Sequence, residues 1–161
     1  MHERSGTSMS DLPVSPPPSS SVAGTVLAFD FGLRHLGVAV GEASLGFAHP
    51  LTSIDAEAND IRFAEIAKLV AQWQPTLLVL GLPLNMDGSE HEFTRRARRF
   101  GRQLEGRFGV SVAFVDERLT SVEAESQLRD IGHGGRAHKS LSHTIAAQII
   151  LQNYFDDYLA A

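Results

Sequence analysis

The sequence predicts an α/β domain built on a mixed five-stranded sheet flanked by helices. Three short β-compatible runs come first, and two strongly apolar runs then alternate with helical patterns. Strands joined by short turns pair antiparallel, whereas strands joined through a helix run parallel, so we expect three antiparallel strands followed by two parallel ones. The 161 residues, 43% apolar and 20% charged, suffice for one domain with a sizeable core.

Residues 1–24 differ in composition from the rest of the chain. They contain four prolines and several serines but few large apolar side chains, so they bury too little surface to offset the entropy of ordering. We therefore predict a disordered tail at 1–24 and a folded domain at 25–161.

The composition also narrows the class of protein. The chain lacks cysteine, which excludes disulfides and thiolate metal sites. It has no run of about 20 apolar residues and no apolar export signal near its start, so we expect a cytoplasmic protein that does not enter a membrane. The net charge of -5 argues weakly against nucleic acid, although the distribution of basic residues matters more than their sum.

The first half of the folded domain is predicted to be a three-strand meander, a helix and a buried strand. The helix follows Asp60, a candidate N-cap, and carries apolar residues at helical spacing up to Trp73, with Pro75 beyond it. The strand after it is almost wholly apolar, as is typical of burial on both faces. The predicted strands are Val26–Phe31, Leu36–Glu42, Leu45–His49 and Thr76–Leu82.

The second half is predicted to hold an amphipathic helix, a strand and two further helices. Ser89 and Glu92 match a capping box that opens the amphipathic helix, whose core face runs from Phe93 to Phe108 and whose other positions hold six arginines. The remaining predicted elements are a strand at Val110–Val115, a short helix from a capping box of Thr120 and Glu123 to about Asp130, a Gly-rich basic loop at Gly132–Lys139, and a helix at Leu141–Leu159.

Acidic residues stand at the ends of two predicted strands. Asp30 ends the first apolar run, and the pair Asp116-Glu117 ends the run Val110–Val115. Sheets of this kind bind ligands outside the carboxyl ends of their strands. Carboxylates in one cleft repel each other unless a cation lies between them, and Mg²⁺ and Mn²⁺ take oxygen ligands. The pattern therefore predicts a divalent-metal site.

Four segments of the chain resemble motifs of the YqgF family, also called RuvX. They occur in the family's order and span Thr25 to about Phe155. Members of this family are described as pre-16S rRNA nucleases and Holliday-junction-resolvase-like proteins, and the resemblance implies a ribonuclease H-like fold. The segments are LAFDFG at 27–32 with GVAV at 37–40, GLPLNMDG at 81–88, DERLT at 116–120 and AAQIIL at 146–151.

The resemblance also implies the catalytic residues. Asp30 matches the first catalytic acid and Glu117 the second, whereas the usual third aspartate, near the start of the last helix, falls on His143. The first turn of a helix disfavours imidazolium, so His143 is expected to be neutral and able to bind Mn²⁺ or accept a proton. We expect Asp30, Glu117 and His143 to hold Mg²⁺ or Mn²⁺, with Mn²⁺ favoured if His143 is a ligand.

The implied function is hydrolysis of phosphodiester bonds, in ribosomal RNA precursors or in branched DNA, by a monomer or homodimer. Basic residues near the cleft and on the arginine-rich helix are expected to hold the nucleic acid, and three polar residues to support the site. The basic residues are Arg34, Arg118, Arg136, Lys139, Arg95 and Arg99, and the supporting ones are Asn85, Asp87 and Asp116.

Other interpretations stay open beside these. Asp30 is compatible with a turn, His143 with a helix cap and Asp116 with a salt bridge to an arginine. Asp87, in an Asp-Gly pair, is more typical of a turn, and arginine-rich helix faces are commonly only solvated. The protein is alternatively a nucleic-acid-binding module that lost catalysis through His143. A third hypothesis is a phosphotransfer domain, because a strand-end Asp with a glycine hairpin also resembles the phosphate loop of the sugar-kinase and actin-like ATPase fold. Those enzymes generally need two such domains, and this chain has the length for one.

Overall fold

The computed structural model of the chain describes residues 23–118 and 135–158. The tail predicted at 1–24, apart from its last two residues, and the predicted helix after Thr120 lie outside this part. No helix in the described ranges is long and apolar enough to cross a membrane. The elements, in chain order, are β1 (Thr25–Asp30), β2 (Leu36–Glu42), β3 (Phe47–Ile54), α1 (Asn59–Trp73), β4 (Leu77–Leu82), α2 (Glu92–Phe108), β5 (Val112–Asp116) and α3 (Gly135–Tyr158).

The strands form one mixed sheet in the order β3-β2-β1-β4-β5. β2 pairs antiparallel with both β1 and β3, whereas β4 runs parallel to both of its neighbours, β1 and β5. The predicted fold class is confirmed, because the short connections gave antiparallel pairs and the helical connections gave parallel ones. The parallel pairing brings the carboxyl ends of β1, β4 and β5 to the same edge of the sheet.

Helices cover both faces of the sheet. Leu27 and Phe29 of β1 join the core beneath α1 and α2. Val26 and Ala28 join a second core beneath α3. Because side chains alternate between the faces of a strand, Asp30 at the end of β1 points toward the α3 side.

β3 begins later and runs further than the predicted strand Leu45–His49. Leu45 and Gly46 belong to a turn in which both amides donate hydrogen bonds to the carbonyl of Glu42. The strand then continues through Pro50, which is tolerated because β3 lies at the edge of the sheet. The bounds of the other strands agree with the predicted ones within about two residues.

α1 and α3 begin earlier than predicted. Ala58 occupies the N-cap of α1 without a side-chain cap, so the predicted cap, Asp60, lies in the first turn, where its charge suits the helix dipole. α3 begins at Gly135 rather than at Leu141, so it includes part of the predicted loop Gly132–Lys139. This stretch contains Arg, Ala and Lys, which are good helix formers, and no proline that would end a helix.

α2 is capped by a different pair of side chains from the predicted Ser89 and Glu92. Nδ1 of His91 accepts a hydrogen bond from the amide of Phe93 (3.2 Å), and the Thr94 hydroxyl accepts one from the amide of His91 (3.2 Å). Ser89 instead donates hydrogen bonds to Asp87. The predicted core face is confirmed for its central residues, which are buried: Ala97, Phe100 and Leu104.

Candidate active site

Two carboxylates from different strands meet at the carboxyl edge of the sheet. Asp30 is the last residue of β1 and is buried. Glu117 follows β5, and its amide donates a hydrogen bond to the carbonyl of Leu82 at the end of β4 (3.1 Å). The Asp30 carboxylate lies close enough to Glu117 to disfavour the charged form of Glu117.

The surroundings of Glu117 raise its pKa well above the usual value for a glutamate. Burial is the largest cause, followed by the charge of Asp30, the hydrogen bond with Asp30 and the charge of Asp116. Each of these favours the protonated form over the charged one. The site therefore holds two acids that cannot both ionise without cost unless a positive charge joins them.

His143 approaches Asp30 from α3. Its Nδ1 lies 2.6 Å from Oδ2 of Asp30. Because Nδ1 is engaged with Asp30, Nε2 remains for another partner. The structure thus brings together the three residues that the sequence assigned to the catalytic centre.

The position of His143 along its helix corrects one expectation. From the sequence, His143 was predicted to lie in the first turn of the last helix, where the dipole disfavours imidazolium. Because α3 begins at Gly135, His143 lies in its third turn, beyond the main influence of the helix terminus. Asp30 orients the imidazole ring instead, through the hydrogen bond to Nδ1.

Two glycines allow these groups to converge. A Cβ at Gly37 of β2 would lie 2.8 Å from the amide nitrogen of Thr144 and closer still to the carbonyl of His143. A Cβ at Gly81 of β4 would lie 2.7 Å from Oε1 of Glu117. Real Cβ atoms essentially never approach other atoms this closely. Gly37 therefore sets how near α3 comes to the sheet, and Gly81 gives Glu117 its space.

The donor set of Asp30 and Glu117 fits a hard divalent ion. Mg²⁺ is commonly held by one or two carboxylates and completes its coordination with water and substrate phosphates. Two neighbouring acids that disfavour each other's charge meet this need, because an ion between them offsets their repulsion. Within residues 23–118 and 139–158, no three His, Asp or Glu side chains are grouped to hold an ion. As placed, His143 turns Nδ1 toward Asp30 and adds no third ligand.

A second histidine, His35, lies against His143 and was not predicted from the sequence. The two rings stack with centroids 5.5 Å apart, and Nδ1 of His35 lies 2.9 Å from Oδ1 of Asp55. Asp55 also accepts hydrogen bonds from the hydroxyls of Ser53 and Ser140. Although burial acts to raise it, these hydrogen bonds hold the pKa of Asp55 below its usual value. Because Ser140 belongs to α3, Asp55 ties the end of β3 to the helix that carries His143.

Arg62, a buried arginine of α1, was also not predicted from the sequence. Its guanidinium donates hydrogen bonds to the carbonyl of Ala56 (2.7 Å) and to the carbonyl of Gly32. Gly32 lies in the turn that follows Asp30. Arg62 therefore fixes this turn beside the two acids.

Asp116 forms a salt bridge, which was one of its two predicted roles. Its Oδ2 lies 2.6 Å from a guanidinium nitrogen of Arg118, and its Oδ1 accepts a hydrogen bond from the Arg118 amide (2.9 Å). Burial acts to raise the pKa of Asp116, but the contacts with Arg118 hold it below its usual value. Arg118 also donates to the carbonyl of Met86, which joins the residues after β5 to the loop after β4.

The loop after β4 is held by its own polar side chains. Oδ1 of Asp87 accepts hydrogen bonds from the amide (2.9 Å) and the hydroxyl (2.6 Å) of Ser89. The side-chain amide of Asn85 donates to the same hydroxyl (3.0 Å). These contacts match the turn interpretation of Asp87, and they explain why Ser89 is not the cap of α2.

The basic residues predicted to bind nucleic acid differ in their surroundings. Arg34 pairs with Glu57 and Arg95 with Glu92, each across the exposed surface. Lys139 is exposed on α3, and Arg99 is exposed on α2. The side chain of Arg136 lies outside the described part of the chain.

The sequence as a whole matches one family of proteins. A family model described as "RuvX: Holliday junction resolvase" matches residues 24–157. The chain belongs to the RuvX family. A relative from Methylobacillus flagellatus, named "Putative pre-16S rRNA nuclease", is 55% identical over 141 residues, which cover 88% of this chain and 97% of that protein. A relative of the same name from Thiobacillus denitrificans is 57% identical over 138 residues, covering 86% and 95%.

The fold of this RuvX protein also resembles that of a solved resolvase. The similarity to Thermus thermophilus RuvC, solved in complex with a Holliday junction substrate, covers 85% of this chain and 96% of that one, with a TM-score of 0.52. At 14% identity this similarity concerns the fold alone. It confirms the ribonuclease H-like architecture that the sequence motifs implied.

Proposed function

We propose that this protein is a metal-dependent nuclease that hydrolyses phosphodiester bonds in nucleic acid. The observation that carries the proposal is the meeting of Asp30 and Glu117 at the carboxyl edge of the sheet, where each disfavours the charge of the other. Two neighbouring carboxylates are typical ligands of a divalent ion, and a bound divalent ion assists the hydrolysis of a phosphodiester. The family membership and the names of the relatives support the same reaction class.

The proposed substrate is the 5′ end of the 16S rRNA precursor, or branched DNA. The names of relatives at 55% and 57% identity favour the RNA precursor, and the description of the family favours the DNA junction. Both substrates imply that the protein acts in the cytoplasm. A junction with two-fold symmetry would suit a homodimer, whereas a single RNA cleavage needs only a monomer.

In the proposed mechanism, Asp30 and Glu117 are the residues that would hold the ion or ions. Once bound there, Mg²⁺ or Mn²⁺ would lower the pKa of a water and offset negative charge on the phosphate. Asp30 also orients His143 through Nδ1, which leaves Nε2 able to accept a proton from the attacking water. Asp116, paired with Arg118, keeps the chain after β5 in place beside Glu117. If His143 turns to the ion instead, its nitrogen favours Mn²⁺ over Mg²⁺.

A second candidate function is a nucleic-acid-binding module without catalysis. It is favoured by His143, which stands where the resembling family usually has an aspartate, and by its hydrogen bond to Asp30. A neutral imidazole adds no negative charge to hold a second ion. In this case the fold and the basic surface would be kept, and the reaction would be lost.

Cleavage assays with Asp30→Asn distinguish the two functions. The purified full chain is incubated with a pre-rRNA hairpin or a four-way DNA junction, with Mn²⁺, Mg²⁺ or a chelator. We expect Mn²⁺-dependent cleavage that falls at least about 100-fold in Asp30→Asn, because the isosteric amide removes one charged ligand. Asp60→Asn, an exposed change in the first turn of α1, is the matched control and should cleave normally. Binding without cleavage under every ion would favour the binding module.

A further inference from the structure

A pocket of about 120 Å³ lies between α1 and α2, beside the turn that follows Asp30. Arg96, Arg99 and Gln103 line it from α2, and Asn59 and Arg62 line it from α1. Residues 96, 99 and 103 lie three or four positions apart, so they share one face of their helix. The proposed mechanism does not use this pocket.

The arginines of α2 differ in what they contact. Arg96 and Arg99 are exposed and have no ion pair, hydrogen bond or ring contact within the described part of the chain. Other arginines of the helix are engaged: Arg95 pairs with Glu92 at 3.0 Å, Arg98 pairs with Glu90 at 2.6 Å, and Arg107 lies 4.1 Å over the ring of Phe63. The two arginines at the pocket thus keep their hydrogen-bond donors for a ligand.

The charges around the pocket favour an anion. Arg62 adds a third guanidinium, which its bonds to Ala56 and Gly32 hold in place. Glu57 is the one acidic residue among the described residues that line the pocket, and its carboxylate pairs with Arg34 (2.9 Å). Guanidinium groups match phosphate oxygens in a two-pronged geometry, so phosphate is the anion that this donor set fits best.

The pocket adjoins the candidate active site across a single turn. Phe31 and Leu33 line the pocket, and Gly32 lies between them. A Cβ on Gly32 would lie 2.9 Å from Cε1 of His143, so the other side of the same turn borders the catalytic centre. A nucleic-acid strand that runs from the acids across this turn would carry its next phosphates to the pocket.

We propose that this pocket binds a backbone phosphate of the nucleic-acid strand, outside the bond that is cleaved. Arg96 and Arg99 contact the phosphate, and Gln103 and Asn59 add neutral hydrogen bonds. The proposal rests on the proposed function, since it takes the substrate to be a nucleic acid. The pocket would position the strand, so its residues affect binding of the nucleic acid and not the cleavage step.

Binding measurements in the Asp30→Asn background test the pocket without cleavage. The probe is a fluorescent RNA hairpin with a single-stranded extension, titrated at several salt concentrations. We expect Arg96→Gln and Arg99→Gln each to weaken binding about fivefold, and each to reduce the slope of log affinity against log salt by about one. Lys68→Gln is the control for charge alone, because Lys68 is exposed on α1 and paired with Glu65. It should change affinity less than twofold, on the order expected of a screened charge.

The outcomes separate the pocket from the catalytic proposal. Two results would overturn the pocket even if the wild type cleaves. The first is an equal loss of RNA affinity in Lys68→Gln and in the arginine variants. The second is unchanged affinity in the double variant of Arg96 and Arg99. Arginine-dependent binding by a wild type that cleaves nothing would support the pocket and contradict the nuclease. Calorimetry with inorganic phosphate tests whether the pocket instead binds free phosphate. Phosphate binding that depends on the two arginines, together with unchanged RNA affinity in their variants, would indicate a site for free phosphate and overturn the proposal.

Discussion

Replacing Gly37 with alanine should separate His143 from Asp30. The new Cβ would lie 2.8 Å from the amide nitrogen of Thr144 and closer to the carbonyl of His143, whereas ordinary contact begins at 3.4 Å. These are backbone atoms, so no rotamer change relieves the overlap, and α3 must retreat from β2 by about 1 Å or more. A retreat of about 1 Å lengthens the 2.6 Å bond between His143 and Asp30 to about 3.6 Å, beyond hydrogen-bond range.

We expect Gly37→Ala to lower the rate of Mn²⁺-supported cleavage about 100-fold and the free energy of unfolding by about 1–3 kcal/mol. Single-turnover cleavage and urea unfolding measure the two effects. Gly106→Ala is the matched control, because nothing lies within 4 Å of its Cβ and the change adds helix propensity to α2. If Gly37→Ala cleaves and unfolds like the wild type, α3 does not hold His143 against Asp30 as described.

Three further changes test the site. Because the pKa of Glu117 is raised, the folded protein binds more protons than the unfolded chain between pH 4.5 and the raised value. The stability of the protein therefore falls as pH rises through that window. In thermal unfolding without divalent ions, Glu117→Gln should therefore gain stability over the wild type as pH rises, and a pH-independent difference would contradict this cause. His143→Asp adds a third carboxylate and should raise Mg²⁺-supported cleavage; an unchanged or lower rate would show that the motif of the last helix is misaligned. Arg62→Met leaves the carbonyls of Ala56 and Gly32 without their donor, and urea unfolding should show a loss of about 2–4 kcal/mol, whereas a neutral change would mean that the buried arginine is dispensable.

The sheet and its two acids follow from local sequence patterns. Short apolar runs joined by turns or by helical segments specify the pairing, and parallel strands place their carboxyl ends at one edge. Asp30 and Glu117 were predictable for that reason, because each directly follows an apolar run. His143 was not, since no local pattern connects the last helix to the first strand. Only the family motif indicated it.

The residues that were missed depend on contacts between distant parts of the chain. Leu36 pairs with Ile54 across β2 and β3, which brings His35 and Asp55 together. This pairing can be predicted only when β3 is known to extend to Ile54. The predicted strand stopped short of Pro50, so the pairing was hidden. Arg62 was missed because a single arginine in a helical pattern normally marks an exposed face. Its burial depends on backbone carbonyls that the sequence does not reveal.

The shared ion site is tested most directly by calorimetric titration of Mn²⁺ into the wild type and Asp30→Asn, in buffers that differ in ionisation enthalpy. We expect the wild type to bind the ion and to release a proton at mildly acidic pH, because the raised pKa of Glu117 favours its protonated form and the ion binds the charged one. Asp30→Asn should bind at least about tenfold more weakly. Equal binding by both proteins, or binding without proton release, would contradict a shared site for the ion between these two acids.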